Sequence, residues 1–174
     1  MERKASDSPT ADAAAHARIA ARLRDHAVEI QRLLAGLDEE SLTRPAVAGK
    51  WSLKELLCHV ARVQRVFDAR LDTLLSDDNP EIAYYGAEGD PLFEEMVDHP
   101  AAVTLENFLA ERGLLLGRLE KLTLEEWHRP GRHPEFENYD VHLQMDYLAH
   151  HEAHHVYQMF QRRTPLGRVP AGPE

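Results

Sequence analysis

Four of the protein's eleven histidines lie within one stretch, Met145-Asp146-Tyr147-Leu148-Ala149-His150-His151-Glu152-Ala153-His154-His155-Val156-Tyr157-Gln158-Met159. It contains no Gly or Pro, and its apolar residues recur at intervals of three and four, which predicts an amphipathic helix. His150 and His154 are four residues apart, as are His151 and His155, so each pair would lie one turn apart. Either pair could present two imidazoles to one metal ion.

Helical phase separates these two pairs. With Leu148 set at zero and roughly 100° per residue, His151 falls near −60° and His155 near −20°, among the apolar side chains. His150 and His154 fall on the opposite side of the helix. The pattern therefore predicts that His151 and His155 face the core.

Three further segments of the chain show the same periodicity, and we predict an all-α four-helix bundle. Ser52 and Glu55 form a capping-box pattern at the start of one of them, and Trp51 before it is expected to pack back over the first turn. The predicted helices are Thr10–Leu37, Leu53–Leu75, Ala101–Leu122 and a fourth that follows the N-cap Asp140 and ends at Arg163.

The segments between these helices carry the Pro, Gly and polar residues typical of loops. Residues 76–100 form a connection long enough to be functional, with one short helical turn at Pro91–Val97. Residues 128–139 are predicted as loop, and no segment shows the period of a strand. We expect a flexible leader at residues 1–9, a bundle domain over 10–163 and a flexible tail over 164–174.

Composition limits the kind of partner. The chain has 174 residues and a net charge of −10, which argues against nucleic acid because phosphate binding needs clustered Lys and Arg. Cys58 is the only cysteine, so no intramolecular disulfide forms. No apolar run approaches the length of a membrane span, and the N-terminus does not resemble a secretory signal. A cytoplasmic protein without membrane or nucleic-acid partners is the simplest expectation.

His59 offers a third imidazole from the second predicted helix, where it lies on the apolar stripe between Leu56 and Val63. Three histidines with open coordination positions are typical of a catalytic metal site, and several late divalent metals accept imidazole. Such a metal would lower the pKa of a bound water or thiol. The alternative for each histidine is a hydrogen-bonded core residue.

Other candidates are weaker. His151, Glu152 and His155 match the metalloprotease pattern HExxH, but only about 20 residues follow, where a further ligand would be needed. Glu152 is expected to be a general base, a second contact to the site, or half of a salt bridge. Cys58 lies about 100° around the helix from His59 and is expected to be a buried, inert thiol. Gln158 is expected to bond near the metal or to line the helix flank.

The remaining candidates carry no defined constellation. Tyr84 and Tyr85 could border a pocket, but nothing in the sequence assigns them there. His128 and His133 are expected to be exposed loop residues. No role is predicted for four other histidines: His16, His26, His99 and His142.

Two motifs together resemble the signature segments of the DinB-like (DinB/YfiT) superfamily over roughly residues 15 to 163. They are Gly49-Lys50-Trp51-Ser52 with Glu55 and His59, and the run from His151 to Gln158. The resemblance implies an up-down-down-up four-helix bundle and a divalent metal, zinc or nickel, on His59, His151 and His155. It also implies an activity like that of relatives that are metal-dependent thiol-S-transferases, hydrolases or isomerases. Some of these relatives use low-molecular-weight thiols such as bacillithiol or mycothiol.

One departure from the family pattern is Arg62-Val63-Gln64, where many relatives carry acidic residues, so a role of those acids does not transfer to this chain. The leading expectation is a metal-dependent enzyme that acts on a small molecule and joins a thiol to an electrophile. The alternatives are a metal-dependent hydrolase and a non-catalytic metal- or ligand-binding bundle, including a homodimer whose histidines are structural.

Overall fold

A computed structural model describes residues 9–171 of the chain. Its elements, in order, are α1 (Pro9–Leu34), α2 (Glu39–Thr43), α3 (Leu53–Ser76), α4 (Pro91–Asp98), α5 (Ala101–Leu119), α6 (Leu124–Trp127), β1 (Pro130–His133), β2 (Phe136–Asp140), α7 (Val141–Arg163) and a 3₁₀ turn (Thr164–Leu166). The predicted leader lies outside the described residues except for Pro9, and the end of the predicted tail, 172–174, lies outside them as well. The domain boundaries stay a prediction.

The four long helices α1, α3, α5 and α7 form a four-helix bundle, which confirms the predicted fold class. α1 and α3 each pack against both α5 and α7, so α1 and α3 occupy opposite corners of the bundle. The up-down-down-up order of helix directions stays a prediction. Within residues 9–171, no helix is long and apolar enough to cross a membrane.

The helix ends follow from local chemistry. The capping box at the start of α3 is present in full, with Ser52 Oγ accepting from the Glu55 amide at 3.2 Å and Glu55 accepting from the Ser52 amide at 2.7 Å. α1 stops at Leu34, three residues before the predicted end, because Gly36 adopts a left-handed φ of 74° that a continuing helix cannot use.

The prediction that residues 128–139 form a loop was wrong, because β1 and β2 pair there as an antiparallel hairpin. Strands of four and five residues are too short for their alternation to stand out in the sequence. The hairpin lies close to α3 at Gly131, where a Cβ would approach the Leu74 side chain to 2.6 Å. Arg132 exchanges backbone hydrogen bonds with the long connection, donating to the Pro80 carbonyl and accepting from the Ile82 amide.

A buried polar layer crosses the bundle between two apolar clusters. On α5 the clusters are represented by Phe108 and Leu115, and Arg112 lies between them with its side chain 2% exposed. Unpaired charges are costly in such a place, so every donor of this guanidinium needs a partner.

Arg112 finds those partners on the other three helices. Its Nη1 and Nη2 donate to the two carboxylate oxygens of Glu152 on α7, whose side chain is fully buried. Its Nε donates to Gln64 Oε1 on α3 at 2.6 Å, and Nη1 also donates to the Leu23 carbonyl on α1. One side chain therefore connects all four helices of the bundle.

Replacing Arg112 alone should destabilise the fold strongly. We expect Arg112→Met to lower the free energy of unfolding by about 3–5 kcal/mol, because it leaves the buried Glu152 carboxylate with only His26 Nδ1 beside it, at 3.4 Å. Arg112→Met combined with Glu152→Met should cost less than the sum of the two single changes. Urea denaturation monitored by circular dichroism measures both.

The matched control is Arg118→Met, which removes a partly exposed ion pair between α5 and α3 with Asp68 and Asp72. That variant should lose about 1 kcal/mol or less. Equal losses for Arg112→Met and Arg118→Met would contradict a special role of the buried layer.

Candidate metal centre

Three histidine side chains from two helices meet near the surface of the bundle. His59 Nε2 on α3 lies 3.1 Å from His151 Nε2 on α7, and His155 Nε2 lies 3.1 Å from the same atom. One ligating nitrogen from each of the three lies within 4.8 Å of the other two. Within residues 9–171, this is the one group of three or more His, Cys, Asp or Glu side chains gathered this closely.

The rotation of α7 explains which of its histidines take part. Glu152 must point into the bundle to reach Arg112, and at roughly 100° per residue His151 and His155 then lie about 40° apart on one side of Glu152. His155 is buried and His151 is half-buried, whereas His150 and His154 are exposed. The predicted inward orientation of His151 and His155 is confirmed.

The His59 side chain on α3 packs against aromatic neighbours. Its ring centroid lies 4.9 Å from that of Trp51 and 6.3 Å from that of Phe93 on α4. Trp51, which precedes the cap of α3, lies over the first turns of that helix as predicted. His59 is 7% exposed, so its contact with water is limited.

The hydrogen bond at Nδ1 of His155 shows which of its two ring nitrogens can bind a metal. His155 Nδ1 lies 2.9 Å from Gln158 Oε1, an acceptor, so Nδ1 carries the proton and Nε2 presents a lone pair to the cluster. The Nδ1 atoms of His59 and His151 are buried and have no hydrogen-bond partner among the described residues. Gln158 therefore contacts the site, which is the first of its two expected roles.

Burial keeps these imidazoles neutral. Desolvation, followed by the proximity of His155, lowers the pKa of His59 to about 4. Desolvation, followed by the proximity of His155 and His59, lowers the pKa of His151 to about 3. The pKa of His155 is also lowered, first by burial. Neutral imidazole is the form that binds a metal.

The donor set fits a divalent metal. At a metal–nitrogen distance of about 2.1 Å, two imidazoles on one ion have their nitrogens roughly 3.0–3.4 Å apart. The 3.1 Å separations of His151 Nε2 from His59 Nε2 and His155 Nε2 lie within that range. Converging imidazole lone pairs suit zinc, nickel and other late divalent ions.

A cavity of about 220 Å³ opens beside His59 and His151. Its walls come from α3, α7, the long connection and the hairpin. Tyr84 and Tyr85 of the long connection border this cavity, a position that the sequence alone could not assign to them. His133 of the hairpin lines the cavity as well. The other lining residues are Val63, Phe67, Arg70, Gly86, Ala87, Glu135 and Tyr147.

Two side chains next to the cluster are not available for catalysis. Both carboxylate oxygens of Glu152 contact Arg112, so the salt bridge is the correct reading among the three considered for it. Cys58 is fully buried, its Sγ donates to the Met96 carbonyl, and burial raises its thiol pKa to about 11. The HExxH pattern therefore supplies no general base here.

The unusual residues Arg62-Val63-Gln64 have other partners. Arg62 Nε donates to Asp90 Oδ2 at 2.7 Å, and Tyr85 donates to the same oxygen at 2.9 Å, which ties the long connection to α3. Val63 lines the cavity, and Gln64 belongs to the buried polar layer.

A second group of histidines, which the sequence does not predict, lies away from the cluster. His16 stacks on Trp127 with ring centroids 4.2 Å apart, and its centroid lies 5.1 Å from His142 and 5.7 Å from His128. Asp140, the N-cap of α7, lies 3.2 Å from His128 Nδ1. The residues are far apart in sequence and share no spacing, so no local signal predicts their meeting.

The lowered histidine pKa values predict a pH-dependent stability for the metal-free protein. A neutral buried histidine binds its proton more readily in the unfolded chain, so its stability contribution is complete above pH 6.5 and declines as the pH falls toward about 4 for His59 and 3 for His151. The slope should be about 1.4 kcal/mol per pH unit for each such histidine.

Urea denaturation of chelator-treated protein between pH 7.5 and 4.5 measures this slope. His151→Gln should flatten it, whereas the exposed control His150→Gln should not. An unchanged slope in His151→Gln would show that His151 titrates normally in the folded state.

Comparison with known proteins agrees with the fold and the motifs. The family model for the DinB superfamily matches residues 22–159. The uncharacterized protein YuaE of Bacillus subtilis (strain 168) is 26% identical over 150 residues, covering 78% of this chain and 91% of YuaE.

Among solved structures, Bacillus subtilis YfiT superimposes with a TM-score of 0.78 at 16% identity, over 96% of this chain and 94% of that one. YfiT is described as "a probable metal-dependent hydrolase with an unusual four-helix bundle topology". At this identity, the likeness shows a common fold. The family match extends over most of the bundle and both histidine motifs, and the chain belongs to the DinB superfamily.

Proposed function

We propose that this protein is a metal-dependent enzyme that acts on a small molecule at a divalent ion held by His59, His151 and His155. The observation that carries the proposal is the convergence of three neutral imidazoles beside a cavity. His151 Nε2 lies 3.1 Å from the Nε2 atoms of both His59 and His155, and a cation bound between neutral imidazoles stabilises such an arrangement.

The protein's own residues prepare the site in three ways. Gln158 orients His155 through its Nδ1 proton, and burial holds all three rings in the neutral form. Trp51 and Phe93 pack beside His59, whose contact with water is limited. A divalent metal bound there would lower the pKa of a thiol or water placed next to it.

Thiol transfer is the reaction that these residues support best. A thiol that coordinates a metal loses its proton without help, whereas hydrolysis benefits from a carboxylate base. Glu152, which stands where HExxH enzymes carry their base, is occupied by Arg112. The second substrate would be an electrophile that enters the cavity beside His151.

Hydrolysis is the second candidate. The description of YfiT as a probable metal-dependent hydrolase supports it, and the same three histidines would serve it. The nucleophile would then be water, and the cavity residues would hold an ester or amide. The identity of the metal as zinc or nickel, a cytoplasmic location and a homodimer stay predictions from the sequence.

Metal analysis tests the site itself. Untagged protein dialysed against zinc or nickel should retain about one ion per chain, because three imidazoles converge on one point. His59→Ala, His151→Ala and His155→Ala should each weaken metal binding by about tenfold or more. Inductively coupled plasma mass spectrometry and competition with a chromogenic chelator measure stoichiometry and affinity.

His150→Ala is the matched control, since it removes an exposed histidine from the same helix. It should bind metal as the unchanged protein does. Equal metal retention in His151→Ala and His150→Ala would refute the proposed site.

A reaction panel separates the two chemistries. Metal-loaded protein is mixed with low-molecular-weight thiols plus an aromatic or epoxide electrophile, and separately with ester and amide substrates. Thiol transfer should appear in the first set and be lost in His151→Ala but not in His150→Ala. Turnover confined to the second set would favour the hydrolase, and turnover in neither would favour a metal-binding protein without catalysis.

A further inference from the structure

The cavity beside the histidines is elongated along α3. Four of its lining residues, His59, Val63, Phe67 and Arg70, follow one another at intervals of four, four and three, so they form a single stripe on that helix. From His59 to Arg70 is eleven residues, or roughly 16 Å at about 1.5 Å per residue. The histidine cluster and Arg70 therefore lie toward opposite ends of the stripe.

The middle of this cavity is apolar. Val63 and Phe67 lie between the two ends on α3, and Tyr147 on α7 faces them with its ring centroid 5.6 Å from that of Phe67. Tyr84 of the long connection also lines the cavity, although most of its side chain is exposed. An apolar segment of a ligand would be favourable in this section.

Within residues 9–171, Arg70 is a cation without a carboxylate partner. Its Nη2 donates to the Ala83 carbonyl at 2.6 Å, and its guanidinium carbon lies 4.9 Å from the centre of the Phe67 ring. A guanidinium has five N–H donors, so the contacts with Ala83 and with the Tyr139 hydroxyl leave others for a ligand. Seven other arginines pair with carboxylates, but among the described residues no carboxylate pairs with Arg70.

The other polar groups at this end do not replace an anion. His133 is half-buried, and its pKa is lowered by burial and then by the charge of Arg70. Glu135 lines the cavity but is exposed and makes no ion pair with Arg70. A half-buried guanidinium suits a planar carboxylate, which it can bind through two parallel hydrogen bonds.

We propose that the cavity binds an elongated small molecule whose carboxylate is held by Arg70 and whose reactive group lies beside His59 and His151, with an apolar segment between them. This inference deepens the proposed function and rests on it for the role of the histidines. Arg70 is then a substrate-binding residue, and the distance along α3 sets the length of ligand that reaches both ends.

A series of ω-mercaptoalkanoic acids, from mercaptoacetate to mercaptoundecanoate, tests length and charge together. Isothermal titration calorimetry compares each acid with its primary amide on zinc-loaded protein. Affinity should pass through a maximum at an intermediate length, and at that length the acid should bind about tenfold tighter than the amide.

Arg70→Gln should bring the acid-to-amide ratio close to one while zinc content stays unchanged. Arg70→Lys, which keeps the charge but not the planar fork, should retain part of the preference. Arg65→Gln is the matched control, because Arg65 is on the same helix, outside the cavity, and paired with Glu111. It should preserve the full ratio.

A ratio near one in the unchanged protein, an equal ratio in Arg70→Gln, or tighter binding of alkyl phosphates than of acids of equal length would overturn the inference. Zinc content well below one per chain would instead overturn the proposed function. In that case simple alkanoates and alkanamides on the metal-free protein still report on Arg70, so the two failures are distinguishable.

Discussion

The contact on which the structure depends is the buried ion pair between Arg112 and Glu152. Two charges removed from water are tolerated only when each is fully bonded, and Arg112 meets this demand with acceptors on α1, α3 and α7. The requirement fixes how the four helices are rotated about their own axes. Because His151 and His155 both lie on one side of Glu152 on α7, the same constraint directs both imidazoles toward His59.

The bundle supplies the histidines, but segments between its helices complete the cavity. The long connection contributes Tyr84 and Tyr85, and the hairpin contributes His133 and Glu135. Backbone bonds between Arg132 and the connection join these two segments, while Arg62 and Asp90 attach the connection to α3. A rigid framework that holds the histidines and connecting segments that shape the ligand space are a common division of labour in proteins.

Much of this arrangement could be predicted from local sequence. Periodicity located the four helices, the Ser52–Glu55 box located the start of α3, and helical phase separated His151 and His155 from His150 and His154. The hairpin could not be predicted because its strands are too short to show a clear alternation. The role of Arg112 could not be predicted either, because a buried charge among apolar residues cannot be recognised without its distant partner. The same reason applies to the group of His16, His128 and His142, and to the pocket role of Arg70, which depends on the fold of residues far along the chain.

If the three histidines bind one ion together, X-ray absorption spectroscopy of untagged, zinc-loaded protein will detect all three. The spectrum should show the multiple-scattering signature of about three imidazoles at roughly 2.0–2.1 Å from zinc, together with one or two lighter ligands. His155→Ala should reduce the number of imidazoles by one, and His150→Ala should leave it unchanged. A spectrum dominated by oxygen ligands, or the same imidazole count in both variants, would contradict this shared metal site.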